Sequence, residues 1–276
     1  MLQLVEQRGR MAYVVENKQE SSTRHMQWML RVRSASQGQP TFVFFPHAGA
    51  TPLSVGRLAT ALPRSVGVAV ANLPRGGDLD DGTPPCSVDD AARGIALGLT
   101  ALFNAAAVDP DRLVLVGNSY GALLAYETAW RLTQATVNPE RLIVSGFRSP
   151  TLPMADTPLY RLPSLQLRAE LRARFGAVAD AASTPWEGGL AEQALRADLQ
   201  ACDTYRHRHL EPLSLPIDVL HLSDDLSVSI DELRAWASVT RLPLRLIPQA
   251  AGHFPWAEHP DAVAQTLLQL VTDQSR

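Results

Sequence analysis

The motif Gly-Asn-Ser-Tyr-Gly at residues 117–121 constrains this chain more than any other stretch. A short β-branched run at 112–116 precedes it and predicts a buried strand, and the helix-forming residues 122–132 that follow contain no Pro or Gly. G-x-S-x-G between a strand and a helix is the context of a nucleophile elbow, a sharp turn that exposes a serine hydroxyl. Because the strand and the helix pass closely there, the outer positions of the motif must be small. The pattern predicts Ser119 as a catalytic nucleophile.

The composition excludes several other classes of function. The 276 residues carry 25 basic and 28 acidic side chains, a net charge of −3, so no overall field attracts nucleic acid or an anionic membrane. The two cysteines, Cys86 and Cys202, lie far apart and show no metal-ligand spacing. No apolar run approaches the ~18 residues that a membrane helix needs. We therefore expect a cytoplasmic, monomeric protein with no metal site.

Strand and helix patterns alternate after Pro40. Such alternation predicts the α/β class, with a mostly parallel sheet, helices on both faces and the active site at the carboxyl ends of the strands. The predicted strands are 41–45, 66–71, 112–116, 141–145, 217–222 and 244–247, and helices outside the elbow are 52–62, 88–104, 230–239 and 260–271.

The N-terminal part of the chain departs from this alternation. Residues 1–38 are polar and weakly periodic, and they end in a run rich in Ser, Gln and Gly. We predict a loosely ordered extension there, with one short strand near 11–15. The predicted hydrolytic domain is therefore 39–276.

A second departure lies in the middle of the domain. Residues 150–216 contain no convincing strand, but they show helical patterns at 164–175 and 190–207. Helices inserted between two core strands would cover the carboxyl ends of the sheet. The sequence therefore predicts a helical lid insertion at about 150–216.

A serine hydroxyl is a weak nucleophile near neutral pH and needs a base, usually His, that a carboxylate orients. His253 lies in a loop just after a predicted strand, and Gly252 before it permits a tight turn that aims the ring over the strand ends. We predict His253 as the base and keep His259 as its rival. The other histidines after the insertion's helices are interpreted as solvent-facing (His207 and His209) or as a buried strand residue (His221).

The acid should follow a later strand, because the chain order in this context is Ser, acid, His. No carboxylate follows the strand at 141–145 closely. Two carboxylates, Asp224 and Asp225, follow the strand at 217–222. From the residues alone, either of them could orient the base.

The negative charge that develops on the carbonyl oxygen needs two backbone N–H donors. Tyr120, directly after the nucleophile, supplies one. The loop after the first core strand should supply the other, and we predict Ala48, since small residues there let the backbone approach a substrate. His47 in this loop is an alternative base, but the position usually supplies backbone.

Several segments of the chain, taken together, carry a resemblance to one known family. They are Phe-Phe-Pro-His-Ala-Gly at 44–49, Leu-Pro-Arg-Gly-Gly at 73–77, the elbow, Leu-Ile-Val-Ser-Gly-Phe-Arg-Ser-Pro at 142–150, Leu-Arg-Ala-Asp at 195–198 with Tyr205, and Ala-Gly-His-Phe at 251–254. Together they resemble the type II thioesterases that accompany nonribosomal peptide and polyketide synthases. The resemblance runs from about Trp28 to the C-terminus, and the Arg-Ala-Asp and Ser-Gly-x-x-x-Pro stretches are not general hydrolase features.

The resemblance implies an α/β-hydrolase fold with a helical lid and a Ser-Asp-His triad. It also selects Asp225 as the acid, because the family's acid is followed after two residues by Val, as Asp225 is by Val228. The chain departs from the family at Asn118 and Tyr120, where His and Met are usual. We expect Asn118 to point away from the chemistry, so that activity survives, and Tyr120 to act through its backbone.

The function that the resemblance implies is hydrolysis of acyl groups from phosphopantetheine thioesters on acyl or peptidyl carrier domains of such a synthase. Its role would be to remove stalled or mis-loaded acyl groups. The cofactor would belong to the partner, so the chain itself would need none. The alternatives are an esterase or acyltransferase that uses small esters or acyl-CoA, and a non-catalytic protein that docks on a synthase.

Overall fold

The structure, a computed structural model, describes residues 27–74, 87–153, 157–176 and 189–272 and the backbone of two earlier strands. These two strands, β1 (Leu2–Gln7) and β2 (Arg10–Val15), pair antiparallel. Cys86 and the segment 75–85 before it lie outside the described residues.

The described residues also form a seven-stranded sheet in the order β3-β5-β4-β6-β7-β8-β9. All neighbouring pairs in it are parallel except β3 and β5. The mostly parallel sheet predicted from the sequence is therefore confirmed. Its strands are β3 (Met29–Arg33), β4 (Thr41–Phe45), β5 (Gly67–Ala71), β6 (Leu113–Asn118), β7 (Arg141–Ser145), β8 (Ile217–Leu222) and β9 (Arg245–Gln249).

Helices pack on both faces of the sheet. Some predicted helices are composite, since Pro52–Val55 is a 3₁₀ turn ahead of α1, and Ala235–Val239 is a 3₁₀ turn after α6. The α-helices are α1 (Gly56–Ala61), α2 (Val88–Asn104), α3 (Tyr120–Gln134), α4 (Ser164–Phe175), α5 (Leu190–Thr204), α6 (Ile230–Arg234), α7 (Pro255–Glu258) and α8 (Pro260–Thr272).

Alternating side chains of the central strands supply the core on each face. In β4, Val43 and Phe45 pack with α2 and α3, whereas Phe42 and Phe44 pack with α1 and α8. All five residues of β4 are buried, as expected for a parallel strand covered on both faces. A third cluster belongs to the 150–216 segment, in which Leu167 of α4 packs near Leu195 of α5.

The N-terminal prediction needs a correction. Met29–Arg33, placed in a loosely ordered extension, is strand β3 and pairs with β5 at the edge of the main sheet. The sheet therefore begins before residue 39. Residues 30–33 of this strand alternate apolar and charged side chains, but the alternation is short and stands in a polar segment, so by itself it is a weak indication of a strand.

Helix α5 also ends earlier than predicted, at Thr204 rather than at 207. Tyr205 has extended backbone angles, and its hydroxyl donates to Glu127 on α3 at 2.7 Å. Helix α5 thus ends where the following residue contacts α3. Within the described part of the chain, no helix combines the length and apolar character needed to span a membrane.

Candidate active site

Ser119 lies on a strained turn between β6 and α3. Its φ is 55° and its ψ is −126°, a conformation that a residue with a side chain rarely adopts. A Cβ on Gly121 would lie 1.8 Å from the carbonyl oxygen of Phe45, and one on Gly117 would lie 2.3 Å from that of Gly121. Both positions therefore require glycine, and the strand–turn–helix context predicted from the motif is present.

The structure brings three of the predicted site residues together at the carboxyl ends of the strands. His253, in the loop after β9, has its Nε2 3.0 Å from the Oγ of Ser119. The Oδ2 of Asp225, in the loop after β8, lies 2.8 Å from the Nδ1 of His253. The side chains of both are almost fully buried. Ser119, His253 and Asp225 thus form a continuous hydrogen-bonded line.

Asp225 is held in its ionised form. Burial by itself would raise the pKa of its carboxyl group, but the hydrogen bond and charge of His253 and the hydrogen bonds from Ser227 outweigh burial and lower that pKa. Ser227 donates to Oδ1 through its hydroxyl at 2.6 Å and its backbone N–H at 2.9 Å. Asp224, the other candidate acid, is exposed and accepts a hydrogen bond from Ser223.

Residues that the sequence analysis did not assign hold the His253 loop. Glu258 accepts hydrogen bonds from the backbone N–H groups of Gly252 at 2.6 Å and Phe254 at 3.2 Å, one on each side of His253. The Nδ2 of Asn118 donates to the carbonyl oxygen of His253 at 3.1 Å. The Asn118 side chain therefore contacts the backbone of the histidine and not the reacting atoms.

The two predicted oxyanion donors, Ala48 and Tyr120, both line a cavity beside Ser119. The loop that carries Ala48 is fixed at its next residue, since the N–H of Gly49 donates to Oδ2 of Asp198 on α5 at 2.7 Å. A Cβ on Gly49 would lie 3.1 Å from Leu195, so α5 packs directly against this loop. The Arg-Ala-Asp stretch therefore has a structural partner that its sequence does not reveal.

His47, weighed as an alternative base, lines the same cavity, but Ser119 is hydrogen-bonded to His253. The ring of His47 meets that of Phe254 edge-on, with centroids 4.7 Å apart. Burial, and next the charge of His253, lower the pKa of His47 to about 4. The imidazole of His47 is therefore uncharged at neutral pH and lines the cavity.

The interpretation of His207 and His209 as solvent-facing needs correction for His209. Its Nε2 lies 2.8 Å from the carboxylate of Glu127, and its ring stacks on Trp130 with centroids 3.9 Å apart. His207 contacts the hydroxyl of Tyr126 at 2.9 Å. His259, the rival base, is exposed just before α8.

The cavity beside Ser119 has a volume of about 180 Å³. Core loops form one wall, and helices of the 150–216 insertion form the other. The ring of Phe175 at the end of α4 lies 4.3 Å from that of His253, centroid to centroid. Among the described residues, the apolar lining from the insertion consists of Leu159, Leu171, Phe175, Ala191, Leu195, Leu199 and Cys202.

A mostly parallel sheet with helices on both faces and a strand–serine–helix turn is the architecture of the α/β-hydrolases. Within that class, the family model of the thioesterase domain matches residues 40–270. The chain belongs to the thioesterase domain family.

Relatives and solved structures agree with this assignment. The chain is 31% identical to the thioesterase PikA5 of Streptomyces venezuelae over 252 residues, which cover 87% of this chain and 85% of PikA5. It is 29% identical to a probable cadicidin biosynthesis thioesterase of Streptomyces griseus, and that match covers 88% of this chain but only 65% of the relative. It also resembles the structure of the type II thioesterase BorB from the borrelidin biosynthetic cluster, with a TM-score of 0.74 and 30% identity over 88% of this chain and 96% of BorB.

Proposed function

We propose that this protein hydrolyses acyl groups from phosphopantetheine thioesters on carrier domains of a nonribosomal peptide or polyketide synthase, and so removes mis-loaded or stalled groups. The observation that carries the proposal is the hydrogen-bonded line from Ser119 through His253 to Asp225, which opens on an apolar cavity. Membership of the thioesterase family and similarity to biosynthetic thioesterases support this substrate class.

In the proposed reaction, the Oγ of Ser119 attacks the thioester carbonyl while Nε2 of His253 takes the hydroxyl proton. The C–S bond then breaks, and His253 gives the proton to the leaving thiolate of the phosphopantetheine arm. Water, deprotonated by His253, attacks the acyl-serine and releases the carboxylic acid and Ser119. The ionised Asp225 stabilises the imidazolium that forms in each half of the reaction.

The backbone N–H groups of Ala48 and Tyr120 are proposed to bind the oxyanion of each tetrahedral intermediate. Tyr120 begins α3, so its N–H also lies at the positive end of the helix dipole. Asp198 would keep the Ala48 loop in place through Gly49, although it does not touch substrate.

The acyl group is proposed to occupy the cavity between the core and the insertion. Cavities of ~150 Å³ with apolar walls hold benzene-sized molecules, so a cavity of about 180 Å³ suits short acyl groups. The insertion at about 150–216 would then act as the lid, and the thioesterase domain would extend from β3 to the C-terminal helix. The phosphopantetheine would arrive on the carrier partner of a monomeric, cofactor-free enzyme. A cytoplasmic location stays a prediction.

The test is intact-mass analysis of an acetyl-loaded carrier protein incubated with the wild type, with Ser119→Ala, and with Ser65→Ala, which changes an exposed serine that is not part of the cavity lining. We expect the wild type and Ser65→Ala to remove the acetyl mass, and Ser119→Ala to lose at least about 10³-fold in rate. Turnover by Ser119→Ala would contradict the assignment of the nucleophile.

Two further assays, one with other substrates and one with a serine-directed reagent, separate the alternatives. Hydrolysis of acetyl-CoA or a small ester, with the acetyl-carrier protein untouched, would identify an esterase or acyltransferase of the same fold. A Ser119 that does not react with a fluorophosphonate would identify a non-catalytic binding protein.

A further inference from the structure

Asn118, directly before Ser119, is buried, with 1% of its surface exposed, and both ends of its side-chain amide are hydrogen-bonded. Nδ2 donates to the carbonyl oxygen of His253 at 3.1 Å, and Oδ1 accepts from the hydroxyl of Ser145 at 2.7 Å. These residues come from the end of β6, the loop after β9 and the end of β7. One amide therefore joins three separate segments at the centre of the site.

These contacts determine which way the amide faces. A flipped amide would place Oδ1 against the carbonyl oxygen of His253, and two acceptors cannot share a hydrogen bond. In the observed orientation the Ser145 hydroxyl donates and the His253 carbonyl accepts, so each polar atom has a partner. The carbonyl oxygen of His253, which can only accept, thereby fixes the direction in which Asn118 donates, and the hydroxyl of Ser145 donates to the other end of the amide.

Ser145 also connects this amide to the nucleophile. It lies opposite Asn118 in the register of β6 and β7, and its carbonyl oxygen accepts a hydrogen bond from the N–H of Ser119 at 2.8 Å. The same strand end thus holds the backbone of Ser119 and, through Asn118, the backbone of His253.

Close packing leaves little freedom for the imidazole. Gly146 has a φ of +61°, and a Cβ there would lie 3.1 Å from the Oδ1 of Asn118 and 3.2 Å from the Cε1 of His253. The amide and the imidazole therefore pack on one glycine. Since the amide of Asn118 holds the backbone carbonyl of His253, a change in the position of the amide would also move the imidazole ring of His253.

We propose that Asn118 is a positioning residue that sets the imidazole of His253 between Ser119 and Asp225 by holding the carbonyl oxygen of His253. The inference rests on the proposed catalytic function of these three residues. Asn118 does not contact the reacting atoms in this scheme. Its effect is on the alignment of the base, and misplacement by about 1 Å can lower a rate by about 10²-fold.

The test measures Asn118→Ala, Ser145→Ala and the double variant Asn118→Ala/Ser145→Ala, and it uses Thr128→Val as the control. Thr128 is a fully buried residue of α3 whose hydroxyl has no hydrogen-bond partner within the described residues, so its change controls for the loss of a buried polar group. The kcat and KM are measured with the acetyl-loaded carrier protein, and the low-field proton resonance of the His253–Asp225 hydrogen bond is recorded for each variant.

We expect Asn118→Ala to lower kcat by about 10–100-fold, with KM changed less than threefold, and to shift or broaden the low-field resonance. Ser145→Ala should lower kcat by a smaller factor, and the double variant should be no slower than Asn118→Ala, because Ser145 acts through Asn118. Thr128→Val should match the wild type in both measurements. If Asn118→Ala does not fold, the kcat and the low-field resonance of Ser145→Ala are compared with those of Thr128→Val instead.

The inference is overturned if folded Asn118→Ala keeps kcat within twofold of Thr128→Val, or if the losses of the two single variants multiply in the double variant. Its failure is distinguishable from that of the proposed function. If the wild type does not hydrolyse the acetyl-carrier protein, the rate at which a fluorophosphonate modifies Ser119 still tests Asn118, since that reaction also needs His253 as base.

Discussion

Single residues in this site have environments that a sequence motif does not specify. His47 belongs to a recognisable loop segment, but its chemical state follows from burial beside His253. The lowered pKa, about 4, means that the folded protein binds this proton less readily than the unfolded chain, whose histidine has an ordinary pKa of 6.5. Between these values the unfolded state holds more protons, so the contribution of His47 to stability is present above pH 6.5 and is lost as the pH falls towards 4.

We expect the free energy of unfolding of His47→Gln to depend less on pH below pH 7 than that of the wild type. The free energy of unfolding of the wild type should fall between pH 7 and pH 5 by about 2 kcal/mol more than that of the variant. Urea unfolding at both pH values measures this difference, and His259→Gln, which removes an exposed imidazole, is the matched variant. Parallel curves for the wild type and His47→Gln would show that His47 is not held neutral by its surroundings.

At the scale of elements, α5 both covers the cavity and holds the loop of the proposed oxyanion donor Ala48. Asp198 is buried, and its carboxylate reaches Gly49, 149 residues away in sequence. Leu195, one turn earlier on α5, packs on the same glycine. The position of the insertion and the geometry of the oxyanion loop are therefore coupled through one helix face.

Asp198→Ala should lower kcat/KM by about 10–100-fold, less than the ~10²–10³-fold loss when an oxyanion donor itself is removed. Asp198→Asn keeps an acceptor oxygen for Gly49 and should retain most of the activity. Gln200→Ala, an exposed change on the same helix, is the control. Steady-state hydrolysis of the acetyl-carrier protein by all three variants is the measurement. Full activity in a folded Asp198→Ala would exclude a role for this contact.

For the molecule as a whole, a buried carboxylate joins the elbow helix to the C-terminal part of the insertion. Glu127 of α3 is 3% exposed and accepts hydrogen bonds from Tyr205 at 2.7 Å and from Arg131 at 2.9 Å, while His209 lies 2.8 Å away. Burial would raise the pKa of Glu127, but the hydrogen bonds of His209 and Tyr205 and the charges of His209 and Arg131 outweigh it and lower that pKa. The carboxylate therefore stabilises the fold in its ionised form.

Glu127→Gln should lower the free energy of unfolding at pH 7 by about 1–3 kcal/mol, because the buried partners lose a charged acceptor. A carboxyl with a lowered folded pKa contributes stability above its unfolded value of 4.5 and loses it as the pH falls through the folded value. The difference from the wild type should therefore shrink below about pH 4.5. Urea unfolding at pH 7 and pH 3.5 tests this. As the control, Glu211→Gln breaks an exposed ion pair with Arg241 and should lower the free energy of unfolding by less than about 1 kcal/mol. If Glu127→Gln remains less stable than the wild type by the same amount at pH 3.5, the ionised carboxylate does not have the proposed role.

The fold was predictable where local chemistry is decisive. Strands β7 and β8 have the predicted bounds, because each is a mostly apolar segment buried in a parallel sheet. Strand β3 was not predicted, although residues 30–33 alternate apolar and charged side chains, because so short an alternation in a polar segment is weak evidence and the strand depends on backbone pairing with β5. The end of α5 was missed for a similar reason, since contacts with α3 interrupt a segment that local propensity would continue.

The sequence by itself determined the turn at Ser119, because only glycine fits where β6, α3 and the end of β4 meet, and that requirement is visible in five residues. It also predicted His253, whose loop follows a strand and has Gly252 directly before the histidine. It left Asp224 and Asp225 open until the family resemblance was considered, and it gave no role to Ser227, Glu258 or the amide of Asn118. These roles were decided by tertiary structure alone. A hydrogen bond depends on distance and direction in space, and the atoms that meet around His253 come from separate strand ends and loops, of which Asn118 and Ser119 lie more than a hundred residues away along the chain.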